Sequence, residues 1–116
     1  MLKKLSWMGS SKDDLKSMPS AVQREIGFSL HQTQEGKTPL NSKPLTGIGH
    51  GVMEIVSDHN KNTYRAVYIA KLGDDIYVLH SFQKKSKTGI KTPKQELDLI
   101  KQRLALAKKD ARSRKK

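Results

Sequence analysis

IYVLHSFQKKSK, residues Ile76–Lys87, is the stretch whose reading decides the fold of this chain. It begins as an apolar, β-branched and aromatic strand and passes without a turn into His80, Phe82, Lys84, Lys85 and Lys87. Period-two alternation predicts that Ile76, Val78, His80, Phe82 and Lys84 share one face, with Tyr77, Leu79, Ser81, Gln83 and Lys85 on the other. A strand anchored by Val78 and Leu79 holds its charged end on rigid sheet, which suits positioned chemistry. The plainer alternative is a strand that ends in solvated lysines.

Upstream, Val52–Ser57 and Tyr64–Lys71 also read as strands. The intervening 58–62 and 73–75 are rich in turn residues, so consecutive antiparallel pairing into a three-stranded meander is the simplest topology. Glu54 falls on the face opposite Met53 and Ile55. Arg65 shares a face with Val67 and Ile69, opposite Tyr64, Ala66, Tyr68 and Ala70. Glu54 and Arg65 thus stand on adjacent strands at similar height. The pair reads as a cross-strand ion bridge or as a carboxylate that orients a phosphate-binding arginine, and the two readings are compatible.

Before the meander, Leu2–Trp7 predicts a short strand with Leu5 and Trp7 turned into the core. Ser10 or Ser11 can cap a short helix with Asp13 and Asp14 in its first turn. A longer helix is expected from Pro19 to about Gln34, striped by Val22, Ile26 and Leu30 and stopped at Gly36. Gly27 inside it costs about 1 kcal/mol relative to alanine, tolerable if another backbone packs closely there. Residues 36–51, GKTPLNSKPLTGIGHG, show no period and read as a long connection carrying Lys43 and His50. After the meander, Thr92-Pro93-Lys94-Gln95 has the pattern of a capping box. It opens a helix striped by Leu97, Ile100, Leu104, Ala107 and Ala111. One domain is expected over residues 1–107, with residues 108–116 a frayed basic tail.

A chain of 116 residues supports one core, which at this size buries roughly 65% of the surface the unfolded chain exposes. Lys and Arg number 23 against 11 acids, a net charge of +12, and the last third holds most of the excess. That balance points to a polyanion partner, nucleic acid before anionic membrane. Absence of cysteine excludes disulfides and thiolate metal sites and fits a cytoplasmic protein. No apolar run suggests secretion or membrane insertion. P-loop, GxGxxG, HExxH and nucleophile-elbow motifs are missing, and His31, His50, His59 and His80 lack metal-ligand spacing, so no metal and no cofactor is expected.

What remains is a sheet bearing Glu54, Arg65, His80, Lys84 and Lys85 beside a loop bearing Lys43 and His50. On RNA, such cations neutralise a scissile phosphate while a neighbouring base takes the proton of the attacking 2′-hydroxyl, without a metal. Phe82 and Tyr68 are candidates to stack an unpaired base, and core packing is the alternative role for Phe82.

The order of elements, with GHGVMEI, TYRAVYI, IYVLHSFQKKS and KTPKQELDLIKQRL, resembles the RelE/ParE superfamily of small bacterial toxins, in its phage-derived HigB-like branch. The likeness covers nearly the whole chain, and the LHSFQKKS block followed by TP and a helix is its most specific part. It implies an α+β, RelE-like fold with a short N-terminal strand, two helices, a three-stranded antiparallel meander and a C-terminal helix. It further implies a ribosome-dependent mRNA endonuclease of a type II toxin–antitoxin pair. The partners would be mRNA on the ribosome and a helix-turn-helix antitoxin. The positions matching the family's phosphate ligands and transition-state stabilisers are Arg65, Lys84 and Lys85, and Glu54 matches its acid on the first meander strand. His50 and Glu54 are the candidate general bases. Lys43, His80, Phe82, Lys87, Lys91 and Arg103 complete the expected RNA-binding set. Val52 after Gly51, and Val56 where a basic residue is common, depart from the branch. The alternatives are a non-catalytic RNA- or DNA-binding module and a ParE-like toxin directed at gyrase.

Overall fold

The computed structural model describes residues 2–84 and 92–114. In chain order these form β1 (Lys4–Trp7), α1 (Ser11–Lys16), α2 (Ser20–Gln34), β2 (Ser42–Pro44), β3 (Val52–His59), β4 (Asn62–Ile69), β5 (Asp75–Lys84) and α3 (Lys94–Ser113). The class is mixed α+β, with a five-stranded sheet in the order β1-β5-β4-β3-β2. β1 runs parallel to β5, and every other neighbouring pair is antiparallel.

The expected three-stranded meander is therefore too small a description. Residues 42–44, read as loop, add an edge strand in which Lys43 pairs with Glu54. They are locked there because Asn41 accepts the Val56 amide, its side chain donates to the Val56 carbonyl, and the Leu45 amide reaches Val52. Pro44 is tolerated because an edge strand does not need every donor. At the other edge, β1 covers β5 from Asp75 to Val78. Between β3 and β4 the chain reverses through Asn60 and Lys61, both at positive φ, the tight turn that matches strand twist.

Alternation along the strands fills two cores, one on each face of the sheet. On one face, Ile55, Tyr64, Ala66, Tyr68, Ile76 and Val78 meet Leu15, Met18, Val22, Ile26 and Leu30 of α1, α2 and their link, with Leu5 and Trp7 packed alongside. On the other, Val52, Val67, Ile69, Tyr77, Leu79 and Phe82 meet Ile100, Leu104, Ala107 and Ala111 of α3. The stripe read from α3 is thus the one that docks.

The uninterrupted alternation expected for β5 breaks at Leu79. Tyr68 pairs with Val78 and the adjacent Val67 with His80, so Leu79 is left without a partner, a β-bulge. Beyond it the phase is shifted by one. Phe82 now pairs with Arg65 and Lys84 with Thr63, which moves His80, Phe82 and Lys84 away from the Ile76–Val78 face and onto the α3 side.

Three local expectations also change. Pro93, at φ −57° and ψ 149°, is itself the cap of α3, so Thr92 lies one residue outside the helix and no capping box forms. Nothing lies within 4 Å of where a Gly27 Cβ would sit, so no backbone packs there. Helix α3 continues to Ser113 where fraying was expected from residue 108. Its last turn is tied down by Tyr77, which donates to Asp110 at 2.7 Å, and by Arg114, which reaches Asp75 at 2.9 Å and Asp110 at 3.1 Å.

Gly27→Ala should therefore stabilise the fold by about 1 kcal/mol, the helix-propensity difference, read as a shifted urea midpoint at unchanged slope. Burial, then donation to Asp110, pushes the Tyr77 hydroxyl from 10.0 up to about 12. A raised pKa means that the tyrosine's contribution is whole below pH 10 and is lost as pH rises through 12. Tyr77→Phe should cost about 1 kcal/mol at pH 7. Its deficit against wild type should shrink between pH 10 and 12 in parallel denaturation curves.

Candidate functional site

The bulge brings the charged end of β5 beside the charged positions of β3 and β4. Glu54 and Arg65, diagonal neighbours on one face, are only 2% and 6% exposed. Arg65 Nη1 donates to Glu54 Oε1, and Lys43 Nζ of β2 stands 3.6 Å from the same oxygen. A carboxylate and a guanidinium leave water at such depth only when they satisfy each other. Even so, Glu54 Oε2 and Arg65 Nε are buried without a partner among the described residues.

Half-buried Lys84 completes the cluster. Burial and the neighbouring Arg65 hold its ammonium below the ordinary lysine value; Glu54 pulls the other way and Lys43 adds to the lowering. The pair opens into a cavity of about 390 Å³ walled by Lys43, Pro44, Leu45, Thr46, Thr92 and Leu97. The chemistry available there is a lysine and an oriented arginine on a space large enough for a phosphodiester, with Lys84 near by but not in its lining. Thr46, Thr92 and Leu97 were not singled out from the sequence. Leu97 could have been, as the one member of the α3 stripe without a place in the core.

Several sequence candidates have other work in the fold. His80 is 5% exposed, with Nε2 2.8 Å from Glu96 Oε2 and Nδ1 3.2 Å from Arg103 Nη1. Because arginine can only donate, Nδ1 must accept and Nε2 must carry the proton given to Glu96. The ring is a structural strut rather than a ligand for RNA. Arg103 also donates to the Leu79 carbonyl at 3.1 Å and to Ser10 Oγ at 3.1 Å, so its guanidinium is spent in clamping α3 to β5. Gly9 at φ +53° leaves room for it: a Cβ there would sit 2.7 Å from Arg103 Nε. Phe82 is 7% exposed, packed in the α3-side core and stacked on His80 with centroids 4.9 Å apart, so it does not offer a free face to a base. Tyr68, 3% exposed, is core as well.

His50 is exposed in the turn before β3 and is not brought to the Glu54 cavity. The glycines around it pack elsewhere: Gly49 faces Leu104, and Gly51, at φ +85°, faces Lys71 and Ile69. Lys85, Lys87 and Lys91 lie outside the described residues. No helix among the described residues is long and apolar enough to cross a membrane.

An ion pair buried in a mixed sheet, ringed by lysines and opening to a surface cavity, defines a small basic α+β protein equipped to hold an anion. Residues 13–105 match the family model described as "Phage derived protein Gp49-like", and the chain belongs to that phage-derived family, which is associated with RelE-type, toxin-like proteins. The matched span contains Lys43, Glu54, Arg65 and Lys84. Comparison with curated proteins and with solved structures returned no match.

Removing one member of the buried pair strands the other. Arg65→Met should cost about 3–5 kcal/mol, and adding Glu54→Leu should recover most of it, because the desolvation cost of both ions then disappears. A double-mutant cycle by urea denaturation measures this; simple additivity of the two losses would show that the ions are not coupled.

Proposed function

We propose that this chain is the toxin of a type II toxin–antitoxin pair, a RelE-like, HigB-like mRNA endonuclease that cuts messages on the ribosome and so inhibits translation. The observation that carries the reading is that Lys43 and Arg65 line one cavity with Glu54 buried behind them, and that Lys84 stands close enough to feel the charge of all three. RNA supplies its own nucleophile, the 2′-hydroxyl, so what the protein must add is proton transfer and charge stabilisation at the scissile phosphate.

Arg65, held in orientation by Glu54, and Lys43 bind the non-bridging oxygens and stabilise the charge of the pentacoordinate state. Lys84 is assigned the proton transfer, since a lysine below its ordinary value gives up and takes a proton more readily at neutral pH. Glu54 acts through Arg65: its Oε1 is taken and its Oε2 is shut from solvent. His50 has no part in this assignment. Lys85, next along the chain from Lys84, remains a proposed second cation. The partners that follow are mRNA with its ribosome and a cognate antitoxin with a helix-turn-helix domain.

Induction of the wild type should arrest growth and cut transcripts inside translated frames, mapped by primer extension. Lys84→Ala and Lys43→Ala should each reduce cleavage about 100-fold, the scale of losing one stabiliser of a developing oxyanion. Arrest with every transcript intact would overturn the nuclease reading, and accompanying DNA damage would point to a gyrase-directed toxin.

A further inference from the structure

Strand β1 ends at Trp7, opposite Val78, so from His80 onward β5 is an edge strand on that side among the described residues. Alternate N–H and C=O groups of such an edge point outward with no strand to take them. Native sheets blunt a free edge with lysine or proline, and His80, Ser81, Phe82 and Gln83 supply neither. A cavity of about 380 Å³ wraps this edge, walled by Asp14 and Ser17 of α1, Met18 and Pro19 of the α1–α2 link, Tyr64 of β4 and Glu96 of α3. Ser81 lines it too, is 1% exposed, and has a hydroxyl without a hydrogen-bond partner among the described residues. A buried, unsatisfied hydroxyl costs free energy unless something supplies a partner.

Charge points the same way. In a chain of net charge +12, this lining holds two carboxylates and, among the described residues, neither lysine nor arginine. Asp14 accepts from Ser10 at 2.8 Å and Glu96 from His80 at 2.8 Å, both neutral donors, so each carboxylate keeps an oxygen free of described partners. Arg103 reaches them only through Ser10 and His80. A phosphate or an acidic peptide would be repelled here, and a cation with several N–H donors would be held. Met18, Pro19 and Tyr64 give apolar walls for the aliphatic stem of such a side chain.

We propose that the edge of β5 from His80 to Gln83 docks an extended segment of a partner protein, and that an arginine of that segment enters this cavity. The mode is strand addition, in which main-chain hydrogen bonds supply affinity and a pocket for one side chain supplies specificity. The planar guanidinium can serve a carboxylate with two parallel bonds and keep a donor for Ser81 Oγ. The docking site shares no lining residue with the cavity at Arg65 and does not depend on RNA cleavage there.

The test titrates the isotope-labelled full chain, followed by its amide shifts, with a capped hexapeptide of alternating valine and threonine that carries one central arginine. Citrulline in the same place keeps the shape and removes the charge. The arginine peptide should bind about tenfold tighter than the citrulline peptide, the scale of one charge-assisted hydrogen bond. It should also shift Ser81 and Gln83 and slow amide exchange from His80 to Gln83. The ratio should fall towards one in the Asp14→Asn, Glu96→Gln double variant, whose amides can still accept from Ser10 and His80 and so keep the fold. Asp98→Asn removes an exposed α3 carboxylate outside the lining and should leave the ratio unchanged. Agmatine, the arginine side chain without a backbone to pair, should bind more weakly than the peptide. Equal binding of the arginine and citrulline peptides, a ratio unmoved in the double variant, or agmatine binding as tightly as the peptide would overturn the docking site. So would the absence of any shift at millimolar arginine peptide, or shifts at Ser81 and Gln83 produced by oligouridylate instead, which would make the edge a nucleic-acid surface.

Discussion

A strand that alternates strictly cannot both feed two cores and deliver its charged end to Arg65, and β5 has to do both. Up to Leu79 its side chains divide between the α1–α2 core and the α3 core. One unpaired residue, Leu79, then shifts the phase, so that His80, Phe82 and Lys84 follow on the α3 side. Were Leu79 paired with Val67 in regular alternation, Lys84 would fall on the Tyr64 face, across the sheet from Arg65. His80 would lose Glu96 and Arg103, and α3 would lose the clamp at its N-terminal half. Bulges concentrate where a sheet must re-aim side chains near a functional site, and this one re-aims three.

The phase shift also explains how a carboxylate and a guanidinium come to be buried in a small protein. Glu54 and Arg65 lie under the N-terminal half of α3 and beside β2, and their mutual attraction at best offsets the loss of hydration. A hydrophobic pair would fill the same space at similar or lower cost. The ions make sense when orientation is the product: a guanidinium held by a buried acid has little rotational freedom left, and the lysines around it are the groups that can still move. Glu54 Oε2 and Arg65 Nε, unpartnered among the described residues, are part of the same cost, accepted where the pair meets the cavity.

Pattern was enough to read the strands β3, β4 and β5, the α2 and α3 stripes, and the approach of Glu54 to Arg65, because each depends on spacing within one or two neighbouring elements. It was not enough for β2. Ser42–Pro44 has neither alternation nor β-propensity, and becomes a strand only because β3 offers an edge and Asn41 pins it. The bulge was equally hidden, since IYVLHSF is as good a regular strand as a bulged one, and pairing with β4 decides between them. The fold engages His80, Arg103 and Phe82 for one reason. Each looks like a site residue on its own strand or helix, but α3 packs across β5 and turns all three inward.

Net charge is a poor count of the surface offered to a polyanion. Arg103 and Arg114, two of the cations that make the last third so basic, are engaged in the fold, one by the Leu79 carbonyl, His80 and Ser10, the other by Asp75 and Asp110. What counts for an anion is where a cation is held without full compensation. Lys43 meets a carboxylate that Arg65 already occupies, and Lys84 is held below its ordinary value first by burial and then by Arg65, with Glu54 opposing and Lys43 adding. A phosphate beside Lys43 and Arg65, as proposed, would meet cations that folding leaves only partly compensated.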